Sequence, residues 1–375
     1  MPVPDRAADR VADQVADRMV DRAADRAGAR AEVTLERLAD HTTLRLGGPA
    51  EEYLVAHDEQ ALVDAVSEAD AAGRPVLVLG GGSNLVVADE GFPGLVVHVA
   101  THGVEVEGDL CGGAFVDVAA GESWDALVAR AVTEGWIGVE ALSGIPGSVG
   151  GTPIQNVGAY GQEVADSIAR VRTWDRVDRR HRTYFHADCG FGYRTSRFKE
   201  DSARHIVLSV SFQLRFGDLG APVRYAELAR TLGIEQGQRA PIAEVREAVL
   251  GLRAGKGMVL DEDDPDTWSA GSFFTNPVVP AEELPDGAPR WEQPDGLVKT
   301  SAAWLIEHAG FAKGYGLDRS GGRVGLSTKH TLALTNRGGG STTELLALGA
   351  EVRDGVRERF GITLVNEPVL VGCSL

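Results

Sequence analysis

The sequence is short of cysteine, short of lysine and without a long apolar run, and each shortage excludes something. Three cysteines, Cys111, Cys189 and Cys373, stand far apart with no C-x-x-C spacing. They cannot all pair, so a disulfide scaffold is excluded, no metal site is expected, and a reducing cytoplasm is the natural compartment. No stretch of about 18 apolar residues occurs, which argues against a transmembrane helix and against membrane insertion. Basic residues are outnumbered: 37 Lys and Arg face 55 Asp and Glu, a net charge of −18. Phosphate-backbone binding needs a basic face, so no nucleic-acid partner is expected. What remains, 43% hydrophobic and 25% charged, is the balance of a globular protein. At 375 residues it exceeds one ordinary core, and two or three domains are expected.

The first 34 residues stand apart. Asp recurs every four residues at Asp5, Asp9, Asp13, Asp17, Asp21 and Asp25, with Arg after most of them. Over residues 1–31 six Asp and six Arg cancel, so the negative charge belongs to the rest of the chain. Like charges at i,i+4 repel mildly and the Ala/Val stripe is thin. A frayed helix or disordered extension with little to bury is expected, and the lack of an apolar h-region argues against a secretory signal.

From about residue 41 the pattern is that of packed domains. Asp58 reads as the cap of a helix running to about Ala72, with Gly73 after it. Pro75 to Leu79 reads as a buried strand and Leu85 to Val87 as another. Ser123 opens a further helix, and strands are expected at 168–174 and 205–215. Ser341 and Glu344 form a capping box for a helix with Leu345, Leu348, Val352, Val356 and Phe360 on one face. Strands and helices mix without strict βαβ alternation, which favours α+β domains.

Four motifs could carry chemistry. Gly80, Gly81, Gly82, Ser83 and Asn84 follow a strand, where glycines let backbone N–H groups approach a phosphate. The Rossmann pattern does not apply, because neither G-x-G-x-x-G nor a following helix is present. The same residues could instead make a tight glycine hairpin. The loop 143–161 holds six glycines, interspersed with Ile145, Val149, Ile154 and Val157, which suggests anchored turns. Two such loops could cradle one pyrophosphate. In Phe191-Gly192-Tyr193-Arg194 an arginine beside a tyrosine suits a carboxylate or a flavin edge, or is simply solvated. In Ala270-Gly271-Ser272-Phe273-Phe274 a hydroxyl walled by two rings could sit in a dry pocket, or the segment is a structural turn. Lysine adds a hint. Only Lys199, Lys256, Lys299, Lys313 and Lys329 occur, all beyond residue 190 and near these motifs. An acidic protein with an anionic substrate must concentrate positive charge at its site.

Seven segments occur in series: TTLRLGG (42–48), VLGGGSN (78–84), GIPGSVGGTPIQNVGAYG (144–161), FGYR…FK (191–199), AGSFFTNPVV (270–279), DGLVKTSAAWLIE (295–307) and KHTLALTN (329–336). In this order they resemble the UDP-N-acetylenolpyruvoylglucosamine reductase family over about residues 38–372. The resemblance implies an α+β fold: a two-part FAD-binding module of the vanillyl-alcohol-oxidase type at 35–100 and 101–258, then a substrate-binding domain at 259–375. It implies NADPH-dependent reduction, through FAD, of an enolpyruvyl UDP-sugar to UDP-N-acetylmuramate for peptidoglycan, by a cytoplasmic monomer. The FAD would be held by residues 80–84 with Pro146, Gly147, Ile154 and Gly158. Arg194, Ser272 and Glu367 would be catalytic, with Ser272 as proton donor. Tyr160, Tyr193, Tyr225, Lys256, Asn276 and Lys313 would contact substrate. This chain has Asn366-Glu367-Pro368 where the family has Pro-Glu-Val, and Trp291 where a tyrosine is often found. Another FAD-dependent oxidase of the same superfamily is the alternative. It should lack AGSFFTNP and often carries a flavin-linking histidine near the first glycine loop, and none lies at 80–84.

Overall fold

Local chemistry sets the helix ends as the sequence suggests. The Asp58 carboxylate accepts from Ala61 N at 2.8 Å and opens helix Glu59–Ala71, after which Gly73 turns at φ +66°. Helix Thr342–Phe360 begins with a reciprocal capping box: Ser341 Oγ accepts from Glu344 N, and Glu344 Oε2 accepts from Ser341 N, both at 3.1 Å. Its face of Leu345, Leu348, Val352 and Val356 is buried, while Phe360 is half-buried against Trp304. The computed structural model describes residues 36–109, 112–293 and 296–375. The expectations for residues 1–34 and for Cys111 lie outside these.

Residues Glu36–Leu375 form one compact unit. Near its start, three parallel strands run in the order Ala50–Ala56, Phe92–Val99, Val76–Leu79, with helix Glu59–Ala71 in the crossover. An antiparallel sheet follows, in the order Arg180–Phe185, Ile168–Asp175, His205–Phe216, Gly113–Ala119, Val104–Asp109. Its central strand His205–Phe216 is buried on both faces over its first eight residues, which are mostly apolar, with Ser209 and Ser211 among them. One core joins these two sheets, with Leu62, Val66 and Val97 packed in the same cluster as Trp124, Val210 and Phe212. Each such aliphatic side chain contributes about 1.5–3 kcal/mol on burial.

The last third carries a small sheet, Val278–Pro280, Leu297–Thr300 and Arg290–Glu292, a hairpin Val324–Leu326/Leu334–Asn336, and helix Thr342–Phe360. Its core of Phe273, Phe274, Leu305 and Val352 also takes in Leu44 and Val86 from near the start of the chain. Two further ties bring the chain's ends together. The Asp89 carboxylate accepts from Thr342 N (2.7 Å) and Thr343 N (2.9 Å), at the positive end of the last helix. Strand Val369–Val371 pairs in parallel with Leu85–Val87. That pairing draws residue 367 back to the first glycine loop. No helix among the described residues is long and apolar enough to cross a membrane.

Candidate active site

The three parts of the chain meet at a cavity of about 1150 Å³. One end is floored by the two glycine loops, which touch each other. A Cβ on Gly81 would come within 2.6 Å of Gly147 Cα, and one on Gly80 within 2.5 Å of Ser148 Oγ. Gly82 turns at φ +60°, and a Cβ there would lie 1.8 Å from the His41 carbonyl oxygen. Only glycine permits this packing. Among the described residues, the amides of Gly81, Gly82, Ser83, Asn84, Gly147 and Ser148 find no acceptor in the protein. A row of backbone donors along a cavity wall is a nest for an anion. The pyrophosphate of a dinucleotide such as FAD fits these donors, and the cavity has room for the remainder. The hairpin alternative is corrected: strands Val76–Leu79 and Leu85–Val87 belong to different sheets, so the loop connects them without pairing them.

The next stretch of wall is an acid cluster. Gly192 and Thr195 exchange backbone hydrogen bonds (3.0 and 3.3 Å), which leaves Tyr193 and Arg194 at the tip of a two-residue turn. Such tips need positive φ, and Arg194 adopts +54°. A bulky side chain there costs about 1 kcal/mol or more, a strain typical of functional positions. Lys199 Nζ holds the Arg194 carbonyl at 3.0 Å. The guanidinium donates to Gly158 O (2.6 Å), to Asn156 O (3.3 Å) and, through Nε, to Glu367 Oε1 (3.1 Å). Burial pushes the Glu367 carboxyl above its ordinary pKa, against the opposing pull of Arg194 and Lys199. Burial likewise lowers the Lys199 ammonium.

Ser272 stands next to this pair. Its neighbours Phe273 and Phe274 are each 1% exposed, while Ser272 itself is half-buried and lines the cavity with no hydrogen-bond partner among the described residues. The Phe273 carbonyl accepts from Glu367 N at 2.8 Å, so the serine and glutamate segments are laddered together. Pro368 does not disturb this ladder. Its carbonyl accepts from Asn366 Nδ2 (2.8 Å), and the next donor along, Val369 N, reaches Asn84 O at 2.9 Å.

The far wall is aromatic and cationic. Tyr160 and Tyr225 meet edge to face at 5.6 Å, and burial pushes the Tyr160 hydroxyl up to about 12. Lys256 lies 5.7 Å from the Tyr160 ring and is paired with Glu227 at 2.6 Å. Lys299 sits 4.5 Å over the Tyr193 ring, and Asn276 Oδ1 accepts from Ala302 N at 3.0 Å. Trp291 lines the cavity opposite Lys299 in the small sheet. Pro146, Gly147, Ile154 and Gly158 line it as well. Lys313 does not. It is exposed outside the wall, and its charge reaches His330, whose pKa burial, Lys256 and Lys313 push down to about 4. Seven Lys and Arg side chains line the cavity against three carboxylates, the inverse of the whole chain's balance. Sequence reasoning gave no separate role to Lys299, His330, Arg253 or Gln155, all of which line it. The scarcity of lysine was the only signal, and it pointed to Lys299.

Comparison with known proteins agrees with this layout. Residues 50–183 match the family described as FAD binding domain, and residues 263–371 match UDP-N-acetylenolpyruvoylglucosamine reductase, C-terminal domain. The chain is 57% identical over 338 residues to the UDP-N-acetylenolpyruvoylglucosamine reductase of Cutibacterium acnes, covering 90% of each. It is 55% identical over 354 residues to that of Thermobifida fusca, covering 90% of this chain and 97% of the relative. The crystal structure of UDP-N-acetylenolpyruvylglucosamine reductase from Thermus caldophilus is similar with a TM-score of 0.60 and 29% identity, over 90% of this chain and 98% of that one.

Proposed function

Because the chain belongs to the UDP-N-acetylenolpyruvoylglucosamine reductase family, we infer that it is a flavoenzyme that reduces UDP-N-acetylenolpyruvoylglucosamine to UDP-N-acetylmuramate with NADPH, in peptidoglycan precursor synthesis. FAD, when bound, supplies the hydride chemistry between NADPH and the enolpyruvyl double bond. The glycine loops would hold its pyrophosphate on the free amides of residues 81–84, 147 and 148. Residues 35–100 and 101–258 would then serve the cofactor and 259–375 the sugar nucleotide, in a cytoplasmic monomer.

The chain's own residues have three tasks. Hydride addition to the β-carbon of the enolpyruvyl group leaves negative charge on the α-carbon and its carboxylate. Arg194, a cation, and Glu367, whose carboxyl burial biases toward the protonated form, would donate to that carboxylate as the charge develops. Ser272 Oγ gives its proton to the α-carbon. A serine is a weak acid, but the carbanion is a strong base and the hydroxyl has no competing partner among the described residues. Lys256, Lys299, Tyr160, Tyr193, Tyr225 and Asn276 would bind the sugar nucleotide.

The observation that carries this reading is the Arg194–Glu367 pair beside Ser272 in one cavity, a cation and a buried acid from chain positions 173 residues apart. The test is the visible spectrum of the purified protein. Flavin absorbance should be bleached by NADPH and restored by the enolpyruvyl sugar nucleotide. A protein without flavin bands, or one reoxidised by oxygen but not by that substrate, would refute it.

A further inference from the structure

Gln155 stands between the cofactor loop and the acid cluster. Its Nε2 donates to Glu367 Oε1 at 3.2 Å, and its Oε1 accepts from Asn84 Nδ2 at 2.6 Å. Asn84 donates this contact, so the Gln155 amide presents its oxygen to the glycine loop and its nitrogen to the carboxyl. Arg194 Nε donates to the same Oε1 at 3.1 Å. Two N–H donors therefore converge on one oxygen of Glu367. A proton on that oxygen would have to point at groups that are themselves donors. Oε2 receives no hydrogen bond among the described residues, and Glu367 lines the cavity with 13% of its side chain exposed.

We propose that Gln155, oriented by Asn84, is a positioning residue that holds the proton of Glu367 on Oε2, the oxygen that the protein's donors leave open. The proposal rests on the reading of Glu367 as the neutral donor to the substrate carboxylate, and it says which oxygen donates. The charged and titratable groups facing Glu367 are Arg194 and Tyr193 from the turn tip and Lys199 from the short helix Arg197–Glu200. Arg194 and Lys199 favour ionisation and burial opposes it, so the raised proton affinity of the carboxyl comes from lost solvation rather than from a second acid. With Gln155 removed, Arg194 is the one donor left to Glu367 among the described residues, and the two oxygens can exchange places. The Asn84 contact also makes the acid sensitive to the loop that would hold the cofactor.

The test uses FAD-loaded protein with two readouts. Stopped-flow absorbance separates flavin reduction by NADPH from reoxidation by the enolpyruvyl sugar nucleotide. Infrared difference spectra against pH follow the carbonyl band of protonated Glu367, assigned by its loss in Glu367→Gln, and do not depend on turnover. Gln155→Leu takes one donor from the carboxylate, so the ionisation midpoint of Glu367 should rise by about one pH unit and reoxidation should slow about tenfold, with reduction by NADPH unchanged. Gln155→Glu keeps the shape and the Asn84 contact but sets a second carboxyl against Oε1, drawing the proton to that side. Reoxidation should slow roughly 100-fold, close to Glu367→Gln. This isosteric variant carries the test if Gln155→Leu does not fold. An unmoved Glu367 midpoint in both variants, or equal slowing of both half-reactions, overturns the proposal. If Glu367→Gln is itself slow, that result leaves the acid reading standing and removes only Gln155. If Glu367→Gln is reoxidised at the normal rate, both fall.

Discussion

The cofactor end and the acid end of the cavity are built by opposite means. The glycine loops work by leaving side chains out. Gly81 lies against Gly147, Gly82 against His41, and bare amides line the space that remains. The acid cluster works by bringing side chains in. Arg194, Gln155, Ser272 and Glu367 come together from four separated segments, with a strained turn and a buried carboxyl. The first end is intolerant of added volume at Gly80, Gly81 and Gly82. The second depends on charge and on where protons sit.

Substitution at the two ends should therefore fail in different ways. The largest effect is expected for Ser272→Ala. Its hydroxyl acts after hydride transfer, so flavin reduction by NADPH should stay near normal while reoxidation by substrate slows about 10²–10⁴-fold, or about 2.7–5.5 kcal/mol. Stopped-flow traces in which both half-reactions slow alike would make Ser272 a structural residue. At the cofactor end, Gly82→Ala combines a left-handed backbone with a carbonyl at 1.8 Å. It should cost roughly 2–4 kcal/mol in denaturant midpoint and release flavin. Gly151→Ala, whose Cβ would meet nothing within 4 Å, should stay within about 0.5 kcal/mol of the parent. Equal losses from the two would mean that contact at Gly82 relaxes freely.

A third test uses acid. His330 is held near pKa 4 by burial and by Lys256 and Lys313, below its ordinary 6.5. A depressed pKa gives stability that is present above about pH 6.5 and lost as pH falls through about 4. The loss should reach roughly 2 kcal/mol and be flattened in His330→Asn, as read from urea midpoints against pH. The smallest effect separates two lysines. Lys256 lines the cavity and Lys313 does not. Lys256→Ala should raise KM for the sugar nucleotide about tenfold and Lys313→Ala less than about twofold, with flavin affinity unchanged in both. Equal KM changes would bring Lys313 into the binding wall.

The sequence made some of this legible and not the rest. Helix caps at Asp58 and Ser341, the strand before Gly80 and the irregular course of 143–161 all follow from residues within a few positions of one another. The resemblance of seven ordered segments gave Arg194, Ser272 and Glu367 as candidates, and the structure brings them to one cavity. It does not bring Lys313 there. Gln155 escaped notice because an uncharged residue inside a glycine-rich loop carries no compositional signal. His330 escaped because one histidine says nothing about its own burial.

The sequence by itself determined what local sterics and charge can determine: where the chain turns, where glycine is required, which faces are apolar, and that positive charge is scarce enough to be meaningful. Only the tertiary structure decided which of those features meet. Strand Val369–Val371 has no partner near it in sequence, and its pairing with Leu85–Val87 carries Glu367 to Asn84, Gln155 and Arg194. Register across 284 residues is set by burial of Val86, Leu364 and their neighbours in a shared core, and by ladder bonds no local pattern encodes. The proton affinity of Glu367 follows from that packing, because desolvation belongs to a place in the fold and not to a residue type.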